Sequence, residues 1–206
     1  MSYPIFVFDL HGVLFRPDYK KIAQILYQVP KKHNLLLSAL TPKFLLTFFS
    51  LVKKGAVPEE FIIKLGTKID RLYPYIQTGI EISNAQKPQK ETISIITELK
   101  KNKFPQYIFS NIGEKTFLDL YQKYPEIIDL FDGVSYTSKV DDYLKKPHSQ
   151  AFEKYIQMFD QKFDDLIFID NKKKNIYAAQ KLGIESILFK NSYQLHDELK
   201  KKRFIL

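Results

Sequence analysis

The 206-residue chain has no cysteine, which excludes disulfides and thiolate metal sites and permits a reducing compartment. It has no internal repeat and no low-complexity linker, and its length allows one large or two small domains. No leader is expected, because Met1-Ser2-Tyr3-Pro4 runs straight into an apolar strand; the expected location is the cytoplasm. A membrane span is not expected either. Leu35 to Val52 approaches the length of one, interrupted only by Ser, Thr, Pro42 and Lys43. Pro42 and Lys43 fall in its middle, where proline breaks the run and a charge costs several kcal/mol in lipid. Two helices packed in a bundle explain the stretch better, and a sticky surface for a partner or a membrane stays open.

Acidic residues are outnumbered, with 23 Asp+Glu against 32 Lys+Arg and a formal net charge of +9. The excess is local: Arg16 to Ile80 holds 11 Lys+Arg against 4 Asp+Glu. Such an insert could steer anionic substrates. The lysines nevertheless lack the tight clustering of a nucleic-acid groove, so scattered solvated pairs are the expected reading and nucleic acid is not the expected partner.

What the chain does have is an apolar core supply, 45% hydrophobic and 15% aromatic residues, and one organising stretch, Ile5-Phe6-Val7-Phe8-Asp9-Leu10-His11-Gly12-Val13-Leu14. A run of apolar strand formers ends abruptly in a carboxylate. In a parallel sheet such a strand is buried on both faces, so its first polar residue falls at the carboxyl end, where ligands bind.

From Arg16 to about Ile80 the patterns are helical. Pro17-Asp18 opens a helix through Val29, stopped by Pro30. Leu35 to Leu40 forms a short turn or helix. Thr41-Pro42 caps a helix through Lys54 ended by Gly55, and Pro58-Glu59-Glu60 opens another to about Tyr73, before Pro74. From Lys87 the rhythm becomes strand, helix, strand, helix. Helices are expected from Pro88 to Lys101, Glu114 to Lys123, Ser149 to Phe159, Asn175 to Leu182 and Gln194 to Lys202. Strands are expected at Pro105–Phe109, Gly133–Tyr136, Leu166–Ile169 and Ser186–Phe189. The expectation is an α/β fold, a Rossmann-like parallel sheet with helices on both faces, carrying an inserted all-helical domain. Residues 1–15 and 81–206 would form the α/β domain and residues 16–80 the insert.

Three strands end in polar residues: Asp9, Ser110-Asn111 and Asp170. Parallel strands bring these ends to one edge of the sheet, and Lys146, in the loop Lys145-Lys146-Pro147-His148, can join them. Two carboxylates, a hydroxyl with an amide and a lysine suit a divalent cation and a phosphate. His33, His148 and His196 lack partners at ligand spacing and read as surface residues. Asp141-Asp142 and Asp164-Asp165 read as turns or helix starts, and Lys172-Lys173-Lys174 as a solvated face flanking the site.

At these residues the sequence resembles the haloacid dehalogenase superfamily. Four motifs follow in order: Phe8-Asp9-Leu10-His11-Gly12-Val13-Leu14; Ile108-Phe109-Ser110-Asn111; Lys146-Pro147; and Ile167-Phe168-Ile169-Asp170-Asn171 with Asn175, Ala178, Ala179 and Leu182-Gly183. The insert resembles the all-helical cap of one large branch. The resemblance implies a Mg²⁺-dependent phosphatase acting on a small phosphorylated substrate through an aspartyl-phosphate. Asp9 would be the nucleophile. Asp9, Asp170, Asn171 and the His11 carbonyl would hold the metal. Ser110 and Lys146 would bind phosphoryl oxygens, with help from the Asn111 backbone N–H, and the nearby positive charge of Lys146 would also keep Asp9 ionised.

Two positions depart from the family pattern. Family phosphatases carry an aspartate two residues after the nucleophile as acid/base, and this chain has His11. An imidazole can do that work near neutral pH; alternatively the site has lost its acid and the fold serves as a binding or regulatory module. Asn171 stands where many members have a second aspartate, which weakens the metal set. Asp170, which the metal-free dehalogenase branch lacks, favours phosphate over carbon–halogen chemistry.

Overall fold

A computed structural model describes residues 4–29, 41–53, 58–138 and 144–206. The expected Leu35–Leu40 segment, the Gly55 helix stop, His33 and Asp141-Asp142 lie outside them. The chain divides into two compact units, residues 1–16 with 88–206 and residues 17–87.

The first unit is built on a five-stranded sheet. β1 (Ile5–Phe8) is followed by β2 (Phe15–Pro17) and β3 (Gln86–Pro88), the strands at which the chain passes between units. β4 (Gln106–Gly113), β5 (Gly133–Thr137), β6 (Leu166–Asp170) and β7 (Glu185–Leu188) complete the set. The main sheet has the order β5-β4-β1-β6-β7, and every pairing in it is parallel. β1 is therefore central, with β4 and β6 on its flanks. Its alternation explains the continuous apolar run: Phe6 and Phe8 enter one core with Ile96, Leu99, Ile108 and Leu195, while Val7 enters the other with Phe109, Phe152 and Phe168. Burying one such side chain contributes roughly 1.5–3 kcal/mol.

The second unit is helical. α1 (Tyr19–Gln28) is capped by Asp18, whose Oδ1 accepts from the Lys21 N–H at 3.3 Å. α2 (Pro42–Lys53) begins beside Thr41, whose Oγ1 accepts from the Phe44 N–H at 3.2 Å. α3 (Pro58–Lys68) stops short of the expected Tyr73. Pro74 lies within a 3-10 turn, Asp70–Tyr75, and a further helix, α4 (Ile76–Ser83), follows it. Gly66 permits this arrangement, since a Cβ there would lie 2.3 Å from Cγ1 of Ile76. The helical unit thus runs on through Lys87, beyond the boundary after residue 80 drawn from sequence.

The sheet's helices are α5 (Lys90–Lys101), α6 (Glu114–Lys123), the short α7 (Pro125–Ile128), α8 (Ser149–Phe159), α9 (Lys173–Lys181) and α10 (Ser192–Lys201). Most match their expected spans to within two residues; α7 was not expected. α5 starts at Lys90 and not at Pro88, because Pro88 closes β3. Among the described residues no helix is long and apolar enough to cross a membrane.

Candidate active site

The register of the central strands assembles the site. Phe8 pairs with Ile108 on β4 and with Ile169 on β6, so Asp9 comes level with the ends of both neighbours. The Asp9 N–H donates to the Ile169 carbonyl at 2.8 Å, which fixes its backbone against β6. Asp170 closes β6 and is fully buried. Ser110 and Asn111 sit inside β4, which runs to Gly113 and not to the expected Phe109.

Lys146 joins the two carboxylates. Its side chain is 1% exposed, and its Nζ donates to Asp9 Oδ1 at 3.1 Å and to Asp170 Oδ2 at 2.8 Å. A third bond goes to the Phe109 carbonyl. The rings of Phe109 and Phe168 lie 4.9 and 5.0 Å from the ammonium, adding cation–π attraction in a desolvated setting. An ammonium has three N–H donors, and all three are engaged by protein. The nearness of Lys146 to Asp9 is as expected; its bond to Asp170 is an addition.

Asp170 is held from both sides. Oδ2 also accepts from Asn175 Nδ2 at 2.8 Å, and Oδ1 accepts from the Lys172 N–H at 2.8 Å. Asn111 acts on the lysine in turn: its Oδ1 accepts from the Lys146 N–H at 2.9 Å, and its Nδ2 donates to the Lys146 carbonyl at 2.8 Å. This two-bond clamp fixes the backbone from which the ammonium extends. The sequence counts the Asn111 amide among the groups of the site but gives it no partner, and places Asn175 in a motif without a role.

The loop after β1 is equally constrained. The N–H groups of Leu14 and Phe15 donate to the Leu10 carbonyl at 2.9 and 3.0 Å. Gln89 Nε2 donates to the carbonyls of Gly12 and Val13 at 3.1 and 2.9 Å, a role that no local pattern announces. Gly12 has φ +90°, a conformation that favours glycine, and a Cβ on it would lie 2.0 Å from Asn171 Nδ2 and displace that side chain. The loop of the first motif and the exposed Asn171 are thereby brought together.

His11 lies in that loop. The residue is half-buried, but its Nε2 is shut off from water and has no hydrogen-bond partner among the described residues. Burial lowers its pKa from the ordinary value of 6.5; the negative charge of Asp9 opposes that and the positive charge of Lys172 adds to it. The ring is thus biased toward the neutral form. Ser110 is 3% exposed, and its hydroxyl has no protein partner among the described residues.

The donor set fits a hard cation. With both carboxylates ionised, one ammonium against two negative charges leaves the buried cluster anionic. Asp9 Oδ2 takes no donor among the described residues. No group of three His, Cys, Asp or Glu side chains converges among the described residues, but Mg²⁺ commonly binds through one or two carboxylates, water and substrate phosphate.

A family model for haloacid dehalogenase-like hydrolases matches residues 6–189. The chain belongs to that family. A sesquiterpene phosphatase from Aspergillus oryzae is 25% identical over 196 residues, covering 94% of this chain and 93% of its own. Among solved structures, a haloacid dehalogenase-like family hydrolase from Porphyromonas gingivalis superposes with a TM-score of 0.65 at 20% identity, over 98% of this chain and 99% of that one. The L-2-haloacid dehalogenase from Xanthobacter autotrophicus gives 0.63 at 17% identity, over 90% and 76%. These two likenesses are of fold.

Proposed function

We propose that the protein is a phosphoric monoester hydrolase acting on a small phosphorylated metabolite through an aspartyl-phosphate on Asp9. The observation that carries this reading is Lys146, bonded to Asp9 and Asp170 at the ends of adjacent strands. It holds one carboxylate in a fixed pose with Oδ2 left for attack. That oxygen forms a bond to phosphorus as the bond to the leaving oxygen breaks, and the leaving oxygen takes a proton by way of His11, which recovers one from the water that attacks in the next step. Water then attacks the same phosphorus, the bond to Asp9 breaks, and inorganic phosphate departs. The Ser110 hydroxyl, without a protein partner among the described residues, donates to a non-bridging oxygen. When bound, Mg²⁺ supplies charge neutralisation on the phosphoryl oxygens. Asp9, Asp170, Asn171 and the His11 carbonyl would hold it.

The phosphatase relative, which spans nearly the whole chain, supports phosphate ester chemistry over the carbon–halogen chemistry of some structural neighbours, and it puts phosphorylated terpenoids among the substrates to test. The helical unit would serve as the cap that selects the leaving group.

A second reading, a catalytically silent binding protein, is favoured by one observation: the neutral-biased His11 ring is a weak acid for a leaving group. One panel separates the two. Wild type, Asp9→Asn and His11→Asp are assayed on an aryl phosphate and a set of metabolite phosphates, with and without Mg²⁺. Mg²⁺-dependent turnover abolished by Asp9→Asn is expected. Turnover only in His11→Asp would select the silent reading, and turnover surviving Asp9→Asn would overturn the nucleophile.

A further inference from the structure

One seven-residue pattern closes two helices of the sheet unit. Glu98-Leu99-Lys100-Lys101-Asn102-Lys103-Phe104 ends α5, and Glu198-Leu199-Lys200-Lys201-Lys202-Arg203-Phe204 ends α10, a likeness too short to mark a repeated domain. The two ends fold alike. The Lys103 and Phe104 N–H groups donate to the Lys100 and Leu99 carbonyls at 3.0 and 3.1 Å, and the Arg203 and Phe204 N–H groups to the Lys200 and Leu199 carbonyls at 2.9 and 3.0 Å. They also meet. The Phe104 and Phe204 rings lie 5.6 Å apart, edge to face, both pack on Phe6, and Asn102 Nδ2 donates to the Phe204 carbonyl at 3.0 Å. Segments far apart in the chain thus make one basic surface.

Of its seven cations three are paired, Lys100 with Asp132, Lys201 with Asp197 and Lys202 with Glu185. Lys101, Lys103, Lys200 and Arg203 are exposed and form no ion pair among the described residues. A lysine in the last turn of a helix complements the macrodipole, which accounts for Lys101 and Lys200. Lys103 and Arg203 need another reason. They lie beyond the helices, at the position usually given to glycine, with φ angles of +62° and +61°, and an L side chain is strained there. Both ends accept that strain, and both spend it on a cation that neither the turn nor a neighbouring carboxylate requires. Leu206, 91% exposed, stands beside them, its N–H bonded to Glu98 Oε1 at 2.8 Å. Neither segment exposes an aromatic ring on which a nucleic-acid base could stack.

We propose that this paired helix end is a docking surface for an anionic lipid bilayer, its four unpaired cations meeting the lipid headgroups while Leu206 enters the headgroup layer. Clusters of about four to eight Lys and Arg bind such surfaces through the negative potential of the leaflet, and an apolar side chain among them deepens the contact. The helices run back from the strand ends, so their C-termini lie at the edge where the strands begin: α5 leads into β4, and Phe204 packs on Phe6 of β1. Asp9 and Asp170 are at the other edge. A protein held by this surface keeps the Asp9 edge of its sheet turned away from the bilayer.

The test is sedimentation of the intact protein with phosphatidylcholine vesicles made with and without phosphatidylserine. Binding to the phosphatidylserine vesicles alone is expected. The decisive variant is Lys103→Gly with Arg203→Gly, which removes two charges and gives each turn the residue its backbone suits. It is expected to melt no lower than wild type and to partition about twenty-five-fold more weakly, at about fivefold for each charge. Lys101→Gln with Lys200→Gln, outside the left-handed positions, is expected to lose as much. Lys173→Ala with Lys174→Ala removes two charges from the opposite edge of the sheet and leaves binding unchanged. Indifference of wild type to phosphatidylserine overturns the proposal, as does a glycine variant that binds like wild type. Equal losses in the Lys173 and Lys174 control also overturn it, because they would mark net charge and not a surface. So does retention of a random-sequence RNA at physiological salt that the glycine variant loses, in a wild type that ignores the vesicles; the surface would then serve nucleic acid.

Discussion

Two lysines of this protein make ion pairs of nearly the same length, and they have almost nothing else in common. Lys202 reaches Glu185 at 2.6 Å on the surface, with the two side chains 44% and 51% exposed. Lys146 reaches Asp170 at 2.8 Å with both partners out of contact with water. The surface pair exchanges one hydrated arrangement for another, and such pairs contribute about 0–1 kcal/mol. The buried cluster has given up hydration on three charges. It persists because every donor of the ammonium is met and Asp170 is fed by Asn175 and the Lys172 backbone. Distance alone says little about an ion pair; desolvation and the completeness of its hydrogen bonds decide.

Breaking the buried side gives the largest effect. Lys146→Met leaves two carboxylates facing each other without a cation, and a loss of about 3–5 kcal/mol in urea unfolding is expected, together with loss of hydrolysis. Asn111→Ala removes the clamp without touching the charges. It is expected to cost about 1–3 kcal/mol and to lower kcat by loosening Lys146, as steady-state kinetics would report.

His11 tests burial without a partner. Its folded pKa lies below 6.5 because of desolvation. Above that value both folded and unfolded states hold a neutral ring. As the pH falls below it, the unfolded state takes the proton first, and stability declines until the folded ring titrates, by up to about 1.4 kcal/mol per pH unit. Melting curves between pH 7.5 and 5 are expected to fall more steeply for wild type than for His11→Gln. At the small end, Lys202→Ala is expected to leave Tm unchanged within error, and a clear drop would undo the contrast between the two lysines.

The site's frame was legible because it depends on patterns that are local in the chain. An apolar strand ending in Asp9 or Asp170 announces itself, and parallel pairing carries both ends to one edge. The hydrogen bonds among those residues were not legible. The bonds of Asn111 to Lys146 and of Gln89 to Gly12 span 35 and 77 positions and follow no period. Nor could composition show that Lys146 exhausts its donors, because that requires knowing where the Phe109 carbonyl falls. Among the elements, α4 was hidden by Pro74, which reads as a stop and lies instead in a 3-10 turn that feeds the next helix. The extra length of β4 went unseen because Ser110 and Asn111 look like the end of a strand.

The central place of β1 has a consequence in time. The strand is made first, yet its two neighbours in the sheet begin at Gln106 and Leu166. At roughly 5–20 residues per second of synthesis, some seconds pass in which Ile5–Phe8 is a short apolar strand with both edges unpaired. The intervening helical unit, residues 17–87, is complete well before either partner exists. Synthesis therefore delivers the strand that ends in Asp9 early and its support late, and the nascent chain must keep that strand from sticking to something else in the interval.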